Sequence, residues 1–282
     1  MSDRQEAFGD AQEILYAVRD GVAVISLNRP DRGNAQTYPL LYALDDAFTQ
    51  AVDDVAVKAI VLRGEGKHFS AGHDVGTADI QNWSRNGERR RLSWNSHDTL
   101  DGAERQWAAE QEFYLGLCRR WRDIPKPTIA AVQGACIAGG VMLAWICDYI
   151  LASEDAFFSD NTVDMGIPGV EYFAHAFELP PRIAREFLML GERMPATRAY
   201  QLGMVNKVVA RDALLDEAMQ VAAKFAGKPR FALALAKQAC NVVDDLQGKR
   251  GATDAVLGMH HLAHAHNRNV TGRSILMPAA AK

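Results

Sequence analysis

The sequence has only four cysteines, Cys118, Cys136, Cys147 and Cys240, in 282 residues. Their spacings match no metal motif and no secretory signal precedes them, so they read as reduced thiols of a cytoplasmic protein. Positive charge is not in excess either. The formal net charge is −4, which leaves no basic field to draw nucleic acid. Long apolar runs are missing too: the longest, Ile137 to Leu151, is broken by Asp148 and is too short to span a bilayer. The first ten residues are polar and acidic, unlike a signal or transit peptide. There is no internal repeat and no low-complexity segment. What remains, 48% apolar and 23% charged residues, is the make-up of a globular enzyme with one substantial core.

Hydrophobic patterning predicts an α/β half followed by a helical half. Val22–Leu27, Lys58–Gly64, Thr128–Val132 and Tyr149–Ser153 read as strands. Pro39–Val52 carries Leu40, Leu41, Leu44, Phe48 and Val52 on one helical face. Further helical patterns cover Phe113–Trp121, Arg182–Leu190, Ala196–Leu202, Asp212–Phe225 and Arg230–Leu246. Between them, Thr77–Glu112 is polar and arginine-rich (Arg89, Arg90, Arg91), with scattered Trp83, Trp94 and Trp107. The stretch reads as helical or partly mobile, and the arginines as a solvated face.

Two glycine turns stand out. The first is His68-Phe-Ser-Ala-Gly-His-Asp74. The second is Gln133-Gly-Ala-Cys-Ile-Ala-Gly-Gly140, running into the apolar stretch Val141–Trp145. Gly72 permits a tight turn, and Ala138-Gly139-Gly140 lets backbone approach a ligand closely. A helix starting near Gly140 adds partial positive charge there. Two such turns can each aim a backbone N–H at one point, which is what a catalyst needs to hold an oxyanion. The competing reading is that these glycines only permit strand–helix packing.

Four segments in order, Asn28-Arg29-Pro30, Phe69–Asp74, Lys126–Gly134 and Gly203–Val209, resemble the crotonase (enoyl-CoA hydratase/isomerase) superfamily over roughly residues 13 to 270. The resemblance implies a crotonase-like spiral of ββα units over residues 13–200, after a flexible N-terminus (1–12) and before a C-terminal helical region (201–282). It implies a homotrimer or a dimer of trimers. Acyl-CoA thioesters would be the substrates, with an enolate-like anion held by the backbone N–H groups of His73 and Gly139. Coenzyme A would lie against Arg29, Arg32, Ala35, Ser70, Ala71, Gly72, Asp74, Val75 and Gly76, with Arg29 and Arg32 toward the phosphates. Asp74 ties the loop. No cofactor is expected beyond the coenzyme A that the substrate carries, and no metal.

The sequence also departs from that family. Hydratases of the family use two glutamates, and their positions fall here on Met142 and Thr162, neither of which can do carboxylate acid/base work. Glu171, after the Pro168-Gly169 turn and beside Tyr172 and His175, is the leading replacement, with an N-terminal helix cap as its competing role. Asp160 and Asp164 are the other carboxylates in reach. The His73 side chain is a further acid/base candidate, and His68 a loop residue near the coenzyme. His260 and His264 share a helix face at i, i+4 with His261 and His266 alongside. No carboxylate lies near them in sequence, so an interface role is favoured over metal binding. The reading is therefore an acyl-CoA-processing enzyme of hydratase/isomerase type. Loss of both glutamates leaves a non-catalytic acyl-CoA-binding or scaffold protein of the same fold as the alternative.

Overall fold

The computed structural model describes residues 5–9, 11–75 and 100–276. Gly76, Trp83, Arg89, Arg90, Arg91 and Trp94 lie outside the described residues. The chain opens with β1 (Gln5–Phe8), β2 (Ile14–Arg19) and β3 (Val22–Leu27), an antiparallel meander. Helix α1 (Tyr38–Asp53) follows. Thr37 caps it by accepting the Leu40 N–H at 3.2 Å, with Pro39 in the first turn, where its missing N–H costs nothing. Strand β4 (Ala59–Gly64) then pairs parallel to β3.

Beyond the undescribed stretch come α2 (Gly102–Glu110), a π-helical turn (Gln111–Gly116) and α3 (Leu117–Arg122). Next are β5 (Thr128–Val132), β6 (Ala135–Ile137), α4 (Gly139–Trp145), β7 (Tyr149–Ser153) and β8 (Phe157–Ser159). Helices α5 (His175–Glu178) and α6 (Pro181–Leu190), strand β9 (Met194–Pro195), helix α7 (Ala196–Gln201) and strand β10 (Lys207–Val209) lead to α8 (Leu214–Ala226), α9 (Arg230–Leu246) and α10 (Lys249–Thr271).

The main sheet has seven strands in the order β1-β2-β3-β4-β5-β7-β10, and β6-β8-β9 form a smaller one. From β3 to β10 every pairing in the main sheet is parallel. Both faces are therefore covered, and residues alternate between two cores. Ala23, Ile25, Leu27, Ile60, Leu62, Ala130 and Val132 face α1, α3 and α4. Val22, Val24, Ala59, Val61, Ile129 and Ala131 face Leu214, Ala218 and Ala222 of α8. The sheet runs past residue 200, since β10 is its last strand. This is the mixed α/β crotonase-like spiral with C-terminal helices. No helix among the described residues is long and apolar enough to cross a membrane.

Helix α10 buries Thr253, Leu257, His260, His264 and Asn267, a stripe spaced four and three residues apart that is mostly polar. It carries these side chains back to α2 and to the loop that follows β8.

Candidate active site

The fold brings the two glycine turns side by side. Ser70 bridges to Cys136 and Gln36 to His73. Ser70 N donates to Ala135 O (3.1 Å), Ile137 N to Ser70 O (3.0 Å), Gln36 N to Gly72 O (2.8 Å) and Asp74 N to Gln36 O (2.9 Å). A Cβ on Gly72, whose φ is +91°, would lie 2.8 Å from Ile137 O. One on Gly139 would lie 2.6 Å from His73 Cδ2 and 2.8 Å from Gln36 Oε1. These glycines set how closely the turns approach. Between them Ala138 holds φ 47° and ψ −110°, a region a side-chain-bearing residue rarely adopts and which concentrates at functional sites. Among the described residues, the backbone N–H groups of His73 and Gly139 have no protein acceptor.

The loop that follows β8 supplies the acid. Glu171 is buried; its Oε2 lies 3.8 Å from His73 Nε2 and its Oε1 3.6 Å from His260 Nε2. Burial first, and then the charge of Glu110, push the Glu171 carboxyl well above the usual carboxylate range. Burial pulls the His73 imidazole down to about 4. Burial thus disfavours the charged form of both groups. Tyr114, on the π-helical turn, stacks on His73 with centroids 3.8 Å apart. Glu171 caps no helix, because α5 begins only at His175.

Tyr172 and His175 are not beside Glu171's carboxyl as the sequence suggested. Tyr172 packs toward Arg122 and Cys118. His175 is buried against Asp160, with Nε2 to Oδ2 at 2.8 Å. Asp160 also accepts the Thr162 hydroxyl (2.6 Å) and the Thr162 N–H (3.1 Å). Burial opposes ionisation of Asp160, but His175 and Thr162 hold it below the usual range. Asp160 thus fastens the loop that carries Glu171. Asp164 lies in the turn Thr162–Met165 and is exposed. Met142 is buried in the core.

The coenzyme loop is only partly as expected. Arg29 is turned inward: its guanidinium meets Asp74 at 2.9 Å, Glu13 at 3.2 Å and the Ala35 carbonyl at 2.5 Å. It is a tie within the loop, and Asp74 is its anchor. Arg32 is exposed on the turn Pro30–Arg32, Ala35 is half-buried, and Ala71 and Val75 are exposed. The Ser70 hydroxyl is held by Asn34 O (2.9 Å) and accepts the Gly72 N–H (3.2 Å). His68 Nδ1 accepts the Ala135 N–H at 3.0 Å, tying the two turns together.

The C-terminal histidines correct the sequence argument in one respect: a carboxylate does reach them. Glu110, from α2, lies 2.8 Å from His261 Nε2, 3.4 Å from His264 Nε2 and 3.7 Å from His260 Nε2. Burial opposes its ionisation, but His261 and His264 hold Glu110 below the usual carboxylate range. Burial draws His260 down to about 4. Trp107 packs on His261, with centroids 4.7 Å apart. Glu110, Gln36, Tyr114 and the Asp160–His175 pair had no local motif. The one sequence signal was the i, i+4 histidine pair.

The model of the enoyl-CoA hydratase/isomerase family matches residues 17–101 and 94–274. The chain belongs to that family, within the crotonase superfamily. Its relatives include EchA13 of Mycobacterium tuberculosis (strain ATCC 25618 / H37Rv), an enoyl-CoA hydratase by name. That protein is 40% identical over 258 residues, which cover 90% of this chain and 81% of the relative. The 1,2-epoxyphenylacetyl-CoA isomerase of Escherichia coli (strain K12) is 30% identical over 234 residues, covering 81% of each. A solved structure described as a probable enoyl-CoA hydratase from Mycobacterium smegmatis superposes with a TM-score of 0.83 at 44% identity, covering 94% of this chain and 99% of that one. Enoyl-CoA hydratase/isomerase family members are enzymes, and the names of these relatives span hydration and isomerisation.

Proposed function

We propose that this family member processes an acyl-CoA thioester by stabilising its enolate with the backbone N–H groups of His73 and Gly139, while Glu171 moves the proton. The observation that carries the reading is the close approach of the two turns, where a Cβ on Gly72 or Gly139 would meet its neighbours at 2.6–2.8 Å, each turn carrying one backbone N–H without an acceptor among the described residues. A thioester oxygen placed between them meets two donors that need no reorganisation as negative charge develops. Glu171 is the carboxyl nearest the His73 ring among the described residues, at 3.8 Å. Thr162 donates its hydroxyl to Asp160 and Met142 is core, so neither supplies an acid. Arg32 and the exposed edge of Ala71 and Val75 are the coenzyme side of the site. Arg29, Ala35, Ser70, Gly72 and Asp74 shape that loop from beneath.

Assembly as a homotrimer or dimer of trimers belongs to the same reading. It is supported by exposed Phe231, Leu235, Val242, Val243 and Leu246 on α9 and is read by sedimentation. The functional test is a panel of acyl-CoA thioesters assayed for turnover and for deuterium exchange at the α carbon. Glu171→Gln is expected to slow the reactive thioester by about 10²–10⁴-fold, the usual worth of a positioned acid/base, with thioester binding retained. Binding by the wild type with neither turnover nor exchange on any thioester would favour the scaffold reading.

A further inference from the structure

Glu110, His260 and His264 are buried to 5%, 1% and 3% exposure, and their donor atoms all lie within 4.8 Å of one another. His260 Nδ1 lies 2.8 Å from Gly169 O, and His264 Nδ1 lies 2.8 Å from Ser274 O. A carbonyl only accepts, so each Nδ1 donates its proton there, and Nε2 is the nitrogen left to face Glu110. Both Nε2 atoms are aimed at the Glu110 carboxylate, 3.7 and 3.4 Å away. Among the described residues neither Nε2 has a hydrogen-bond partner, nor does Glu110 Oε2, while Glu110 Oε1 accepts from the Gln106 amide at 2.7 Å. Buried polar atoms without a partner call for something that satisfies them, and a cation seated between them does so.

We propose that Glu110, His260 and His264 bind a divalent first-row transition ion of the zinc class. Two imidazole nitrogens and one carboxylate are a transition-metal donor set, whereas calcium and magnesium prefer oxygen cages. Metal–ligand bonds of about 2.0–2.1 Å in a tetrahedron place the ligand atoms about 3.3–3.4 Å apart. The three donor atoms lie within 4.8 Å of one another, so an ion would draw them together by up to about 1.5 Å. The outer partners are also those of a metal site, with backbone carbonyls of Gly169 and Ser274 fixing the tautomer of each histidine. His261 Nε2 lies beside the carboxylate, 2.8 Å from Glu110 Oε2. Glu171 Oε1, 3.6 Å from His260 Nε2, puts the fourth position on the side of the proposed acid.

The test is metal binding without acyl-CoA, so its failure leaves the thioester reading untouched. Protein stripped with a chelator is titrated with Zn²⁺ and with Co²⁺, and bound metal is counted after gel filtration. One ion per chain is expected, with the visible absorption of four-coordinate cobalt. Glu110→Gln, which keeps the side-chain shape, and His264→Ala should each weaken binding at least about 100-fold. His266→Ala, at an exposed position, should bind as wild type. Circular dichroism checks that each variant is folded. A folded wild type that retains none of Zn²⁺, Co²⁺, Mn²⁺ or Fe²⁺ would mean the cluster holds only protons. Equal metal content in folded Glu110→Gln and His264→Ala would place the ion elsewhere. Either result overturns the proposal.

Discussion

Gly139→Ala tests the oxyanion geometry at its narrowest point. The new Cβ would sit 2.6 Å from His73 Cδ2, 2.7 Å from His73 Nε2 and 2.8 Å from Gln36 Oε1. Ordinary contact begins at 3.4 Å, so the His73 ring must retreat by about 0.8 Å, or the Ala138–Gly139 turn must move instead. Either way the proposed convergence of the two N–H groups is lost. A displacement near 1 Å costs about 10²-fold in rate, and loss of one oxyanion donor costs about 10²–10³-fold, or about 3–4 kcal/mol. Overpacking adds about 1–3 kcal/mol of instability. The rate of α-deuterium exchange on a bound acyl-CoA reads enolate formation without knowing the final product, and a denaturant melt reads the stability cost. Gly251→Ala is the control, because its Cβ meets nothing within 4 Å. A folded Gly139→Ala protein that binds acyl-CoA and exchanges at the wild-type rate would refute the oxyanion assignment.

Two further outcomes follow from buried titratable groups. Asp160 is held below its ordinary pKa by His175 and Thr162 against the effect of burial. Its contribution is therefore fully present above that ordinary value and is lost as pH falls through the depressed one. Asp160→Asn should cost about 3–5 kcal/mol at neutral pH, the range for breaking one side of a buried pair, and should flatten the acid limb of the stability profile. Denaturant melts over a pH series measure both, and a variant as stable as wild type would refute the pairing. Among the thiols, burial pushes Cys118 and Cys136 well up and Cys147 to about 12, whereas Cys240 is exposed. Native protein at mildly alkaline pH should release one equivalent with a disulfide reagent, and four after denaturation. More than one fast native thiol would contradict the packing around Cys147.

The main strands and α1 were legible because their apolar residues follow a period of two or of a helix turn. Val22–Leu27 and Tyr149–Ser153 are strands with the expected bounds, and α9 spans Arg230–Leu246 as read. Helix α10 did not stand out because its buried stripe is Thr253, His260, His264 and Asn267 around a single Leu257, so burial there left no hydropathy signal. The two glycine turns were legible because close backbone approach demands glycine. The inward turn of Arg29 was not, because a loop arginine reads the same whether it meets a phosphate or Asp74. Glu110 escaped notice for a different reason: its partners come from a helix at the far end of the chain, and spacing arguments see only neighbours.

That long-range closure also fixes an order of assembly. Residues up to β7 already contain both glycine turns and most of the main sheet. They emerge from the ribosome well before α10, and domains form in that direction during synthesis. Until α10 docks, Glu110 and Glu171 lack the α10 histidines that face them. A nascent or C-terminally clipped chain would hold its backbone donors in place while its acids still lacked those histidines.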